Sequence, residues 1–130
     1  MSDLMERFGL SAGRIWDVLR QDGPSGENTL KRKTGLKNDD LYGGIGWLAR
    51  ENKVRRENQE YGLGDTNLTA EIGSTAGKLW ELFSREGEVN ISALSKQGEM
   101  KRKELFAAIG WLAREDKLES DEGMNRLRLR

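Results

Sequence analysis

Cysteine and histidine are both missing from this chain of 130 residues. Without cysteine there is neither a disulfide nor a thiolate metal site. Without histidine the commonest general base and the commonest zinc ligand go together. Long apolar runs are missing too, so no segment is suited to span a bilayer. The first ten residues, MSDLMERFGL, lack the basic flank and apolar core of a signal peptide. Net charge is absent as well, with 22 basic and 22 acidic residues. A dedicated DNA-packaging protein is usually strongly basic, so nucleic-acid contacts here have to come from local basic patches. Together these absences describe a reduced cytoplasmic protein without metal or cofactor, with association with the nucleoid left open.

Catalytic signatures are equally scarce. The chain has no Gly-rich phosphate loop, no metal-ligand cluster and no nucleophile placed beside a base. The carboxylate pairs Asp39-Asp40 and Glu115-Asp116 lie on charged surface and do not converge on an apolar pocket. The expectation is that the protein is not an enzyme.

What the chain does contain is a repetition. IGWLARE occurs at residues 45–51 and again at 109–115, an offset of 64. The same offset relates Trp16 to Trp80, Ala12-Gly13 to Ala76-Gly77, Gly23 to Gly87, Leu30 to Leu94 and Leu41 to Leu105. The register holds without a gap from Phe8/Ile72 to Val54/Leu118, with roughly a third of the positions identical. This is a tandem duplication, and the join lies in the turn-prone GLGDTNLT at residues 62–69. Two domains follow, residues 1–64 and 65–130. Each is near the lower size limit for independent folding, so the halves are expected to support each other by packing.

Within the second copy, Ile72, Ala76, Leu79, Trp80 and Phe83 share one helical face, and the helix stops at Gly87. EVNIS alternates polar and apolar residues and predicts a short strand. Ser92 is placed to cap a short helix over ALSKQ. A longer helix follows from Lys101 to about Asp116, with Leu105, Ile109 and Leu112 as its core stripe. KLES and NRLRLR then form a hairpin around DEGM. The first copy follows the same order, except that PSGENT replaces EVNIS. Pro24, Ser25 and Gly26 are poor strand formers, which predicts a loop there. GGIG at residues 43–46 stays inside the helical register, because the second copy has alanines at its first two positions.

Helix, short strand, helix, turn, helix and hairpin is the order of a winged helix-turn-helix. The predicted fold class is α+β, mainly helical, with two tandem winged helix-turn-helix domains. IGSTAGKLW at 72–80 and AIGWLAREDKL at 108–118, echoed by FGLSAGRIW and GIGWLARENKV, resemble a small uncharacterised prokaryotic winged-helix family. The resemblance covers nearly the whole chain, twice over. It implies the fold and carries no established activity, and DNA binding follows from it only by analogy of shape.

In helix-turn-helix proteins the last helix enters the major groove with its N-terminal residues on base edges and basic neighbours on phosphates. Lys101, Arg102 and Lys103 open that helix in the second copy and form a candidate phosphate-contacting cluster. Their positive charge opposes the helix dipole. The first copy differs: Lys37 is followed by Asn38, Asp39 and Asp40, whose carboxylates would repel phosphate. Its candidate contacts are instead Lys31, Arg32, Lys33 and Lys37, with Arg55 and Arg56 on the first wing strand. Arg126, Arg128 and Arg130 alternate with leucines on the last strand and join the candidates. Both wing tips are acidic, through Glu57, Glu60, Asp121 and Glu122, and so are poorly suited to a minor groove. The copies are therefore not expected to read DNA alike, and a symmetric internal dimer on a palindrome is disfavoured.

Trp16 and Trp80 fall on the apolar stripe of the first helix of each copy and are expected in the core. Trp47 and Trp111 project away from the stripe defined by Leu41, Ile45 and Leu48 and its equivalents, beside small residues. Each ring has three open destinations: the edge of its own domain, the other repeat or another chain, and DNA or a ligand. Aromatic enrichment at interfaces marks both as candidate interface residues. The functional expectation is a DNA-binding protein that regulates transcription or associates with chromatin, with duplex DNA as partner. The alternative is a protein-interaction module, with a protein partner or a homodimer and no DNA.

Overall fold

The computed structural model describes residues 3–98, 100–123 and 125–130. The first repeat comprises α1 (Asp3–Asp22), β1 (Ser25–Gly26), α2 (Glu27–Thr34), α3 (Asn38–Arg50), β2 (Val54–Glu57) and β3 (Glu60–Leu63). A π-helical turn over Thr69–Gly73 then leads into α4 (Ser74–Glu86) of the second repeat. It continues with β4 (Val89–Asn90), α5 (Ile91–Lys96), α6 (Arg102–Arg114), β5 (Leu118–Ser120) and β6 (Arg126–Leu129). Each repeat carries a small antiparallel sheet, ordered β1-β3-β2 and β4-β6-β5. The wing hairpin and the strand between the first two helices thus pair as in a winged helix.

Two local expectations are corrected. Ser25 and Gly26 do form a strand, because the backbone of Tyr61 and Glu60 on the wing offers ladder partners. Two residues need little intrinsic strand propensity when a neighbouring strand is already in place. The cap of α5 is Asn90, whose side chain accepts from the Ala93 amide at 2.9 Å; Ser92 is inside the helix. Where β2 turns into β3, Asn58 and Gln59 both have positive φ, as a two-residue type I′ hairpin turn requires. The second wing tip includes Met124, which lies outside the described residues.

The third helices of the two repeats, α3 and α6, pack directly against each other. Arg102 in the first turn of α6 meets Asp39 in the first turn of α3. At the other end Arg50 meets Glu115 and Arg114 meets Glu51. The helices therefore lie side by side and run the same way, and the reciprocal pairs describe an approximate two-fold axis between the repeats. Small residues allow the approach. A Cβ on Gly46 would fall 1.8 Å from the Ala107 carbonyl oxygen, and one on Gly110 would fall 1.8 Å from that of Gly43.

The same symmetry exchanges core residues. Leu4 and Phe8 of α1 are buried with Leu79, Phe83, Leu105 and Leu112 of the second repeat. Leu68 and Ile72 are buried with Ile15, Leu41, Ile45 and Val54 of the first. The repeat boundary in sequence is thus not a boundary between cores: each repeat lends the start of its first helix to the other. Burying a side chain the size of Phe8 contributes about 2–3 kcal/mol, so this exchange is a substantial part of what joins the halves.

Candidate nucleic-acid interface

Because α3 and α6 run in one direction, their N-terminal ends emerge at one pole of the molecule. The ends of α2 and α5 lie beside them, joined by short connections; Lys31 Nζ donates to Asn38 Oδ1 at 3.0 Å across the first of these. The described residues at this pole, 31–40, 95–98 and 100–104, hold eight basic and three acidic residues, a net of +5 in a chain whose total is zero. The opposite pole holds the C-terminal ends of both helices, where Arg50, Glu51, Lys53 and their equivalents Arg114, Glu115, Lys117 form a reciprocal charge ring.

The predicted cluster Lys101-Arg102-Lys103 does not act as one set. Arg102 gives two hydrogen bonds of 2.9 Å to the Asp39 carboxylate and lies 5.1 Å over the Phe106 ring. The hydrogen bond from this guanidinium to Asp39 holds its charge more firmly than usual. Lys103 is ion-paired with Glu27 and lies over the Tyr42 ring. Both side chains tie the second repeat to the first. The carboxylates of the first copy, read in sequence as repelling phosphate, are in fact occupied: Asp39 by Arg102 and Asp40 by Arg7 at 2.6 Å. Among the described residues, Lys31, Arg32, Lys37, Lys96 and Lys101 have no carboxylate partner, whereas Lys33 is paired with Asp22 at 2.7 Å. Arg32 and Lys96 occupy equivalent positions in the two repeats, as do Lys37 and Lys101. Lys96 was not among the sequence candidates; its equivalence to Arg32 was the available signal.

The wing candidates are engaged locally. Arg55 pairs with Glu57 at 2.5 Å and donates to the Asp65 carbonyl. Arg56 rests over the Tyr61 ring. Arg126 and Arg128 share Glu88, and Arg128 also reaches Glu119 at 2.7 Å, so the hydrogen bond to Glu119 and then its charge hold the Arg128 guanidinium protonated more firmly. Arg130 pairs with Asp116. These arginines and their carboxylates therefore nearly cancel.

A second polar centre lies where the repeats meet. Glu27 accepts from Tyr42 Oη at 3.1 Å and from Tyr61 Oη at 3.5 Å, and it pairs with Lys103. Burial raises the Glu27 carboxyl, but the hydrogen bond and charge of Lys103 outweigh it and leave the carboxyl below its ordinary value. Burial, with the nearby Glu27 charge, pushes the Tyr61 phenol well above its ordinary value and raises Tyr42 in the same sense.

Trp47 and Trp111 take two of their three open destinations at once. Each ring packs on a glycine of its own repeat, Trp47 on Gly9 of α1 and Trp111 on Gly73 of the π-helical turn before α4. Each also receives an arginine from the other repeat, Arg114 over Trp47 at 5.6 Å and Arg50 over Trp111 at 5.8 Å. The expectation for the other pair is corrected. Trp16 is partly buried against the core that holds Ile15 and Leu19, and Trp80 is 41% exposed, so neither ring is a fully buried core residue.

Two winged helix-turn-helix domains, joined through their third helices, define the class of this protein. Its sequence matches the model of the family described as winged helix-turn-helix domain (DUF2582) twice, over residues 1–63 and 67–130, and the chain belongs to that family. No curated protein and no solved structure matches it. Among the described residues no helix is long and apolar enough to cross a membrane, and no group of three or more Asp or Glu residues is placed to hold a metal ion.

Proposed function

We propose that the protein binds duplex DNA along the phosphate backbone, without reading bases through its third helices. The observation that carries this is the basic pole, where Lys31, Arg32, Lys37, Lys96 and Lys101 lack carboxylate partners among the described residues, beside the N-terminal ends of α3 and α6. Helix N-termini carry partial positive charge and complement phosphate. Base reading by α3 and α6 is disfavoured on size. Each helix is about 10–12 Å across, and a major groove about 12 Å wide admits one helix and not a packed pair. Nor do helices in contact match half-sites about 34 Å apart. A role in the nucleoid or at promoters, within the cytoplasm, accords with such binding.

Titration of duplex DNA at several salt concentrations tests this. Five phosphate contacts give a log–log slope of about −4.5, with little difference between unrelated duplexes. The triple variant Arg32→Glu, Lys37→Glu, Lys101→Glu is expected to lose binding. Absence of binding at low salt, or equal binding by the triple variant, overturns the proposal. A protein-interaction role has its own support in the burial of both third helices and in the exposed Trp80 and Leu10. A protein that binds no DNA at low salt would favour that reading.

A further inference from the structure

The approximate two-fold axis produces two equivalent clefts between the repeats, and they are built differently. In one, Phe8 covers Gly43 so closely that its ring atoms lie 2.1–3.0 Å from where a Cβ on that glycine would be. Phe106, Leu127 and Ile91 are buried in the same apolar cluster as Phe8. In the other cleft the equivalent positions are Ile72 for Phe8, Ala107 for Gly43, Tyr42 for Phe106, Tyr61 for Leu127 and Glu27 for Ile91. The strand register fixes the Tyr61 equivalence: Tyr61 faces Arg56 as Leu127 faces Ser120. On this side Tyr42, Tyr61, Ile72 and Ala107 line a cavity of about 40 Å³. At about 10–15 Å³ for each water-sized group, that is room for about three heavy atoms, the size of an isopropyl group.

The floor of this cavity is apolar, from Ile45, Leu68, Ile72 and Ala107, and its rim is charged with both signs. Arg56 and Lys103 bring positive charge, and Glu71 and Glu104 negative. Lys103 is held by Glu27. Arg56, Glu71 and Glu104 have no ion-pair partner among the described residues. An apolar socket with unpaired charges of both signs at its mouth complements a small zwitterion bearing a short branched chain.

We propose that this cleft binds a free aliphatic α-amino acid of valine's size. Its side chain would fill the cavity, its carboxylate would meet Arg56, and its ammonium group would meet Glu71 and Glu104. The site spans both repeats, since Arg56 comes from the first wing and Glu71 and Glu104 from α4's lead-in turn and α6.

Calorimetric titration of the full chain with L-valine, without nucleic acid, tests the proposal. Saturable binding is expected, at least tenfold tighter than for isobutyrate or isobutylamine, which each lack one charge. The double variant Ile72→Phe, Ala107→Gly installs the pair already packed as Phe8 and Gly43 on the other side, and is expected to abolish binding. Arg56→Gln leaves the cavity intact and is expected to weaken binding at least tenfold. No saturable binding of L-valine at millimolar concentrations overturns the proposal. So does binding unchanged in Arg56→Gln, or unchanged in a folded double variant.

Discussion

Gly46 and Ala107 meet backbone to side: the position a Cβ would take on Gly46 lies 1.8 Å from the Ala107 carbonyl oxygen. The contact is repeated across the axis by Gly110 and Gly43. No side chain fits there unless the helices separate. Gly46→Ala is therefore expected to destabilise the chain by about 3 kcal/mol, measured by chemical denaturation. Gly13→Ala is the control, because nothing lies within 4 Å of its missing Cβ. That change removes an exposed helical glycine and is expected to stabilise by about 0.5–1 kcal/mol. Equal effects of the two substitutions would contradict the close crossing.

Phe8 belongs to the first repeat by sequence and to the core of the second by packing. Phe8→Ala is expected to cost about 3–5 kcal/mol. The loss should also register first in the second repeat. Residue-resolved hydrogen exchange checks this: amides of α4 and α6 should lose protection more than those of α2. Loss confined to the first repeat would rule out the core exchange.

The Glu27 contacts give a pH dependence with a definite sign. The folded carboxyl titrates below its ordinary value of 4.5, held down by Lys103 against the opposing effect of burial. The stabilisation is present above pH 4.5 and is lost as the pH falls through the folded value. Glu27→Gln is therefore expected to lower the melting temperature at neutral pH, with the gap to the parent closing on acidification. A gap that stays constant from neutral to acid pH would show that the charge on Glu27 contributes nothing.

Tyr42 and Tyr61 are the two tyrosines of the chain. Both phenols titrate above their ordinary value of 10, through burial first and then the Glu27 charge. A raised value in the folded state means stability present below pH 10 and lost as the pH rises through the folded value. In spectrophotometric titration, phenolate absorbance should lag behind that of free tyrosine and appear together with unfolding. Titration of either phenol at its ordinary pH in the folded protein would contradict the Glu27 network.

Residues whose role is local were readable without the structure. The apolar stripe of Leu41, Ile45 and Leu48 is a matter of helical period, and Gly87 ends its helix as a glycine does. The offset of 64 fixed the register of the duplication. Ser25 and Gly26 escaped because their strand exists only by pairing with Tyr61 and Glu60. Arg102 and Lys103 escaped for a related reason: next to each other in sequence they make a basic cluster, and beside Asp39 and Glu27 they make an interface.

The amino-acid sequence by itself thus determined the elements, their order and their repetition, since helical periodicity, glycine termination and side-chain alternation act over a few neighbouring residues. Only the tertiary structure decided which surfaces remained available. Pairing of Gly46 with Ala107 and Gly110 with Gly43, exchange of Phe8 for Ile72 between cores, and neutralisation of Arg102 by Asp39 each join residues 61 to 67 positions apart. Contacts at that separation depend on how whole helices pack, so the repeated IGWLARE became the seam between the two halves.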